Sequence, residues 1–268
     1  DELFAGYNRY LATLKFWGPI SRVPQSVRRR VAQGLRLLPP SGWQRGFDLL
    51  PARLRPPQAG DKVHKLARLI AARGPEAFYA NTITHWHQPE ALVRGGEEPA
   101  RLLDDADLSA RFPDTLDWMQ YLDSVTYLPD DILTKVDRAS MAHSLEARVP
   151  ILDHRVVEYA WRIPPDKRVR GGQGKWPLRQ VLYRHLPREL MDRPKMGFGV
   201  PLAEWLRGPL RAWADDLLAP ERVAREGLLD PAVVEATWRE HREGRRDWHY
   251  PLWNVLMFQA WHAEAMSG

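Results

Sequence analysis

Between Tyr127 and Asp153 the chain reads YLPDDILTKVDRASMAHSLEARVPILD, with eight acidic or basic side chains set among small residues. Asp131, Lys135 and Arg138 recur at spacings of four and three, which sets them on one side of a helix. A set of this kind either faces a polar ligand or laces a solvated surface with ion pairs worth about 0.2–0.5 kcal/mol each. Glu146 and Arg148 lie near its end, where Arg148 can pair with Glu146 or with Asp137.

A second candidate is GGQGKWPLR at 171–179. Gly171, Gly172 and Gly174 free the backbone ahead of a helix predicted from about Lys175 to His185. The free N–H groups at such a start attract an anion. A lysine in the first turn is opposed by the helix dipole, so Lys175 makes best sense if a negative ligand offsets both. The plainer alternative is an exposed lysine after an ordinary glycine turn. Arg179 lies one turn further along the same face. In RPKMGFGVP, Gly197 and Gly199 flank Phe198 and permit an irregular loop from which Lys195 can reach a phosphate; a structural turn accounts for those residues equally well. His85 and His87 in HWHQP make half a metal site without a third ligand at suggestive spacing.

The elements that must position these residues are helical. Apolar residues repeat at three and four positions over 62–73, 101–122, 130–147, 153–162, 174–186, 200–218 and 231–243, with proline and glycine between them. The expected fold of this chain is all-α. Pro129 followed by Asp130 and Asp131 predicts a helix start near Asp130, and Val149 before Pro150 predicts its end at Arg148. Ile132, Val136, Ala139 and His143 form its expected buried stripe. Residues 39–61, rich in proline, glycine and arginine, read as a loop or hinge. Tryptophan in the closing LWNVLMFQAW recurs with leucine and phenylalanine at helical spacing and reads as core.

The string YLPDDILTKVDRASMAHSLEARVPILD resembles the C-terminal half of the synthetase domain of glutamine-dependent asparagine synthetases. DELFAGYNRY at the start is similar to that family's DE-F-GGY element, and GGQGKWPLR, RPKMGFGVPLAEWLRG and LWNVLMFQAW follow in the family's order. The five blocks cover the first ten residues and most of 121–268. The resemblance divides the chain into an N-terminal helical part, 1–120, and a C-terminal helical part of the synthase domain, 121–268. It implies an α/β pyrophosphate-loop parent domain with this helical portion following its sheet.

The implied reaction uses Mg-ATP to adenylate the β-carboxylate of aspartate, and glutamine-derived ammonia then displaces the adenylate. By residue-to-residue match, Lys175 is the lysine that contacts the phosphates, and Asp1 is a carboxylate that helps hold magnesium. Lys135, Arg138, Asp131, Lys195 and Arg179 are further nucleotide-site candidates. Glu146 matches a glutamate that orients a catalytic tyrosine in β-lactam synthetase relatives. Ala5 stands where the family more often has glycine. The chain has no cysteine, whereas the family carries an N-terminal glutaminase domain that begins with a nucleophilic one. Ser41–Gly42 and Ser267–Gly268 lack the strand–loop–helix context of the family's SGG-DS phosphate loop. On this resemblance the chain is expected to be an inactive piece of a longer cytoplasmic enzyme, lacking the glutaminase domain and the phosphate-loop region. Two alternatives are a related amide- or β-lactam-forming synthetase acting on another carboxylate, and a non-catalytic helical binding module.

Composition bounds the rest. A chain of 268 residues with twelve tryptophans and 44% hydrophobic residues can bury a sizeable core. Zero cysteines exclude disulfides and thiolate metal sites. No run of about eighteen apolar residues suggests a membrane-spanning helix. The net charge of +5 comes from 32 Arg and seven Lys against 34 acidic residues, with eight Arg and one Asp between Ser21 and Gly60. Those arginines alternate with Pro, Leu and Val without any nucleic-acid motif, so they read as the solvated face of an amphipathic helix rather than a nucleic-acid stripe.

Overall fold

The computed structural model describes residues 1–56, 58–192 and 199–266. Among them the regular secondary structure is all helical, and the only β-type pairings are the isolated bridges Val93–Leu229 and Arg170–Gln173. The all-α expectation therefore holds for the described residues. No described helix is long and apolar enough to cross a membrane.

The chain forms two compact units, each drawn from three stretches of sequence. One comprises Asp1–Arg28, Leu69–Thr82 and the described residues from Ala100 to Asp192; the other comprises Arg29–Arg68, Ile83–Pro99 and the described residues from Gly199 to Met266.

In the first unit, helix Asn8–Ser21 buries Tyr10 and Thr13, and helix Thr115–Val125 buries Leu116, Trp118, Met119 and Leu122. Phe78 and Tyr79 from helix Pro75–Ile83 fill the same interior. Tyr79 stands edge-on to Trp118 at 5.7 Å, and Trp17 lies 6.1 Å from Phe78. Leu3, Phe4 and Ala160 form a second buried cluster with Val156, Val157, Trp161 and Leu178 against it. Burial of aromatic side chains of this size is worth about 1.5–3 kcal/mol each.

Arg28, expected on a solvated face, is buried instead. Its guanidinium donates to the carbonyls of Val23 (3.0 Å), Ile70 (2.9 Å) and Ala72 (2.6 Å). Two of these acceptors end the Ala59–Ala71 helix, where free carbonyls and the dipole favour a cation. Its neighbours Arg29 and Arg30 are exposed.

In the second unit, Leu202, Leu206, Ala214, Leu217, Val223, Val234, Trp238, Leu252, Val255 and Leu256 form one core. The closing block contributes Leu252, Val255 and Leu256 from helix His249–Ala265. Trp253 packs partly buried against that core, 6.1 Å from Trp213, whereas Trp261 is exposed, so only the first matches the core reading.

Several element boundaries differ from expectation for local reasons. The region 39–61 is not a loop: it holds helix Pro40–Asp48, the turn Ala52–Leu54 and the start of helix Ala59–Ala71. Pro40 sits where a helix tolerates proline, and the Trp43 indole N–H donates to the Leu35 carbonyl at 2.8 Å. The stretch 101–122 divides into Leu102–Asp104, Ala106–Ala110 and Thr115–Val125, the last begun by Asp114 accepting from the Leu116 N–H at 2.7 Å. Gly208 breaks 200–218 into Leu202–Arg207 and Arg211–Leu217.

The helix expected over 130–147 begins with a wide turn at Leu128–Leu133 and stops at Met141. Ser144 adopts a left-handed conformation (φ 57°), with N–H bonds from Ser144 to the Met141 carbonyl (2.9 Å) and from Leu145 to the Ser140 carbonyl (3.0 Å). That pair of bonds is a Schellman ending, made here by serine in place of the usual glycine. Its expected stripe is not buried either: Val136, Ala139 and His143 are exposed.

Candidate functional site

DELFAGY closes into a tight turn. The Gly6 N–H donates to the Asp1 carbonyl at 2.8 Å, and Ala5 sits fully buried at φ 54°. For alanine this left-handed conformation costs roughly 1–2 kcal/mol, a cost glycine does not incur. The glycine loop docks on the turn from the other side. Gly171 (φ 57°) and Gly172 (φ 75°) occupy the corner of a two-residue hairpin in which Arg170 and Gln173 exchange N–H···O bonds of 3.0 Å. The Lys175 N–H then donates to the Phe4 carbonyl at 2.7 Å.

Gly174 has ordinary φ but lies so close to this turn that a Cβ on it would collide with the Ala5 carbonyl. Gly174→Ala is therefore expected to cost about 1–3 kcal/mol by overpacking against backbone. Urea denaturation measures it, and an unchanged midpoint would contradict the docking.

This docking brings together two motifs that are 170 residues apart. The Lys175 ammonium pairs with the Asp1 carboxylate, and Glu2 adds a second negative charge beside it. Gly6 admits both side chains, since a Cβ there would collide with Asp1 Oδ1 and Lys175 Cε. Partial burial lowers the Lys175 pKa, the neighbouring Arg179 lowers it further, and Glu2 opposes both. The Tyr7 hydroxyl donates to Glu2 Oε1 at 2.5 Å, and burial with the adjacent carboxylate pushes the Tyr7 phenol far up, which keeps it a donor. Asp1, Glu2, Tyr7 and Lys175 border a cavity of about 380 Å³ whose other walls include Leu128, Ile132, Val136, Val149 and Ile151. Thus Ile132 and Val136 of the expected stripe line this cavity instead of entering a core, while Ala139 and His143 are exposed.

Helix Trp176–Leu182 starts one residue later than expected. Lys175 is its N-cap in the left-handed region (φ 59°), its N–H is taken by Phe4, and Pro177 supplies no N–H. The negative partner of Lys175 is therefore a carboxylate of the DE turn. Arg179 donates to the Gly174 carbonyl (3.3 Å) and pairs with Asp192 (2.7 Å), which also accepts from the Tyr183 hydroxyl at 2.5 Å.

The remaining candidates make other contacts. Asp131 and Lys135 pair with one another at 3.2 Å, and Arg138 is exposed. Glu146 and Arg148 form an exposed pair at 2.9 Å, one of the two pairings expected for that arginine. Lys195 and Gly197 lie outside the described residues.

Sequence reasoning assigned no role to the network beneath this turn. The buried Asp123 carboxylate accepts from Arg9 Nη2 (2.7 Å), from the Tyr79 hydroxyl (2.7 Å) and from the Tyr10 hydroxyl. The Arg9 guanidinium in turn covers Tyr7 at 3.9 Å and Tyr127 at 4.7 Å. Gln120 Nε2 donates to the Glu2 carbonyl, and Arg168, itself buried, donates to the Gln120 side chain at 2.6 Å and pairs with Asp117. The only available signal was the density of tyrosine and arginine in DELFAGYNRY, since the acceptors lie more than a hundred residues away.

His85 and His87 belong to other surroundings. His85 stacks on Tyr250 at 5.5 Å, and no group of three His, Asp or Glu side chains among the described residues is arranged to hold a metal. Partial burial and the charges of Arg68, Arg246, Arg36 and Lys65 push the His87 imidazole down to about 4. Because the unfolded chain binds this proton more readily, stability attributable to His87 is fully present above its ordinary value of 6.5 and is lost as pH falls toward 4. His87→Asn is expected to flatten the stability–pH curve in that window, read from urea midpoints of the two proteins. Parallel curves would contradict it.

The asparagine synthase family model matches residues 1–263. The chain is 32% identical over 269 residues to a putative glutamine-hydrolyzing asparagine synthetase of Mycobacterium bovis, covering 98% of this chain and 38% of that protein. It is 28% identical over 263 residues to glutamine-hydrolyzing asparagine synthetase 1 of Bacillus subtilis, covering 98% and 39%. The glutamine-hydrolyzing asparagine synthetase of Gallus gallus matches at 33% over 142 residues, 46% of this chain and 25% of that protein. No solved structure matches the chain. The chain thus spans about two fifths of the length of the first two relatives. With the DE turn, the glycine loop and the LPDDIL helix all present, and the match running from Asp1 to residue 263, the chain belongs to the asparagine synthase family.

Proposed function

We propose that this chain is the C-terminal part of an ATP-dependent asparagine synthetase. In this reading a β-carboxylate oxygen of aspartate attacks the α-phosphorus of ATP and pyrophosphate leaves. Ammonia from a glutaminase part of the full-length protein then attacks the acyl carbon, AMP leaves, and the nitrogen gives up a proton. The carrying observation is the meeting of Lys175 with the Asp1 and Glu2 carboxylates at the edge of one cavity.

These residues fit the groups the reaction needs. Magnesium takes hard oxygen ligands, commonly one or two carboxylates completed by phosphate oxygens and water, and Asp1 with Glu2 supplies such a pair. Bound there, the ion would neutralise charge on the phosphates. Lys175 transfers its ammonium from Asp1 to the phosphates when both ligands are present, and its positive charge favours pyrophosphate departure. Tyr7 fixes the orientation of Glu2 through its hydrogen bond. Lys135, Arg138, Asp131, Arg179 and Lys195 are proposed as outer contributors to the nucleotide site, and Glu146 as an orienting carboxylate. A parallel α/β sheet earlier in the full-length protein is proposed to hold adenine and cradle the pyrophosphate.

The test is product analysis with the full-length protein, aspartate, glutamine and Mg-ATP. Asparagine, AMP and pyrophosphate in equal amounts are expected. Turnover of a different carboxylate with aspartate inert would replace asparagine synthesis by another amide-forming reaction of the family.

A further inference from the structure

In the second unit lies a group of cations that includes no residue of the proposed synthetase chemistry. Helix Ala59–Ala71 presents Asp61, Lys65 and Arg68 at spacings of four and three, hence on one face. His64 of the same helix bonds the Leu38 carbonyl at 2.9 Å, which draws in the end of helix Gln25–Arg36 and with it Arg36. Arg246 approaches from the chain following helix Pro231–Arg242, bonding Asp61 at 2.6 Å and covering the Trp248 ring at 3.8 Å. Trp248 stacks on Trp86, one residue before His87, with ring centroids 6.1 Å apart.

The charges of Arg36, Lys65, Arg68 and Arg246 all bear on the His87 ring, and Asp61 is already engaged by Arg246. Arg68 is partly buried, and its Nε is shielded from solvent with no acceptor. Burial, reinforced by Arg246 and Arg36 and opposed by Asp61, lowers the Arg68 pKa. A buried guanidinium N–H without an acceptor, among like charges, is costly unless an anion is bound. A neighbouring hollow of about 460 Å³ is a poorer candidate, because Asp48, Asp61 and Asp247 line it alongside Arg207, Arg245 and Arg246.

We propose that Arg36, Lys65, Arg68 and Arg246 form a binding site for a small phosphate-bearing anion, with Arg68 at its centre. Arginine supplies planar paired donors suited to phosphate oxygens, and Lys65 adds a mobile point charge. The site is independent of the synthetase reading, since it uses none of the residues assigned there.

Isothermal titration of the 268-residue chain at pH 8 and constant ionic strength tests the site, with inorganic phosphate and pyrophosphate as separate probes. Saturable binding of at least one probe is expected, weakened at least tenfold by Arg68→Gln and at least threefold by Lys65→Gln, a substitution on an exposed position that leaves the packing intact. Arg162→Gln, which removes an exposed arginine of the first unit, serves as the charge control and is expected to leave binding unchanged. Absence of saturable binding, or equal weakening by the control, would overturn the site. Arg68-dependent binding of a single-stranded RNA oligonucleotide with neither small probe bound would overturn it in favour of nucleic acid.

Discussion

Lys175→Ala in the full-length protein is expected to lower amide synthesis by on the order of 10²–10³-fold in kcat while leaving the glutaminase reaction intact. The loss is electrostatic: the substitution removes the ammonium that pairs with the Asp1 carboxylate at the cavity edge. Stability should barely change. The pair is partly exposed, at 41% and 28% of the two side chains, and pairs of that kind contribute about 0–1 kcal/mol. Alanine also keeps a Cβ at the left-handed position, so the backbone strain at φ 59° is the same in both proteins. Steady-state assay beside thermal unfolding separates the two effects. Wild-type synthesis by a folded variant would remove Lys175 from the chemistry.

Asp123→Ala is expected to destabilise the chain by about 3–5 kcal/mol, the range for leaving a buried charge without its partner. Asp123 is 3% exposed and accepts from Arg9, Tyr10 and Tyr79 together. Burial and the Asp123 charge raise both phenol pKa values, so Tyr10 and Tyr79 remain hydroxyl donors that need an acceptor. Asp123→Asn keeps an oxygen for the hydroxyls and loses the charge for Arg9, and should fall between wild type and alanine. Urea denaturation followed by tryptophan fluorescence reads the order. A cost for alanine below about 1 kcal/mol, the size of an average substitution, would contradict the network's role in holding helix Asn8–Ser21 against helix Thr115–Val125.

The sequence made the helices and the motifs legible where local signals are strong. Asp153 and Asp230 cap helices His154–Arg162 and Pro231–Arg242, close to the limits that periodicity gave. Signals that depend on one atypical residue mislead: Ser144 performs a glycine's task at a helix end, and Pro40 opens a helix inside a stretch whose composition reads as a loop.

The site was legible in part. Lys175 stands out in its glycine motif and Asp1 only through the family resemblance; that the two pair is read from the structure alone. What periodicity cannot carry is which distant residue completes a polar network, because that is fixed by tertiary packing. Glu2 with Tyr7, and Arg9 with Asp123, belong to this class. Likewise Ile132 and Val136 have the spacing of a core stripe, yet they line a cavity. Spacing gives the face of a helix and leaves open what that face meets. The assembly of each unit from three separate stretches is equally invisible in a one-dimensional pattern.

The central claim is that Lys175 and the Asp1–Glu2 carboxylates form one wall of a site where a carboxylate is adenylated. Exchange of labelled pyrophosphate into ATP by the full-length protein tests it most directly, because exchange requires adenylation and its reversal but no ammonia. The account predicts exchange that depends on aspartate and magnesium, at least a hundredfold lower in Lys175→Ala and shifted to higher magnesium in Asp1→Asn. Exchange at the wild-type rate in both variants would contradict it.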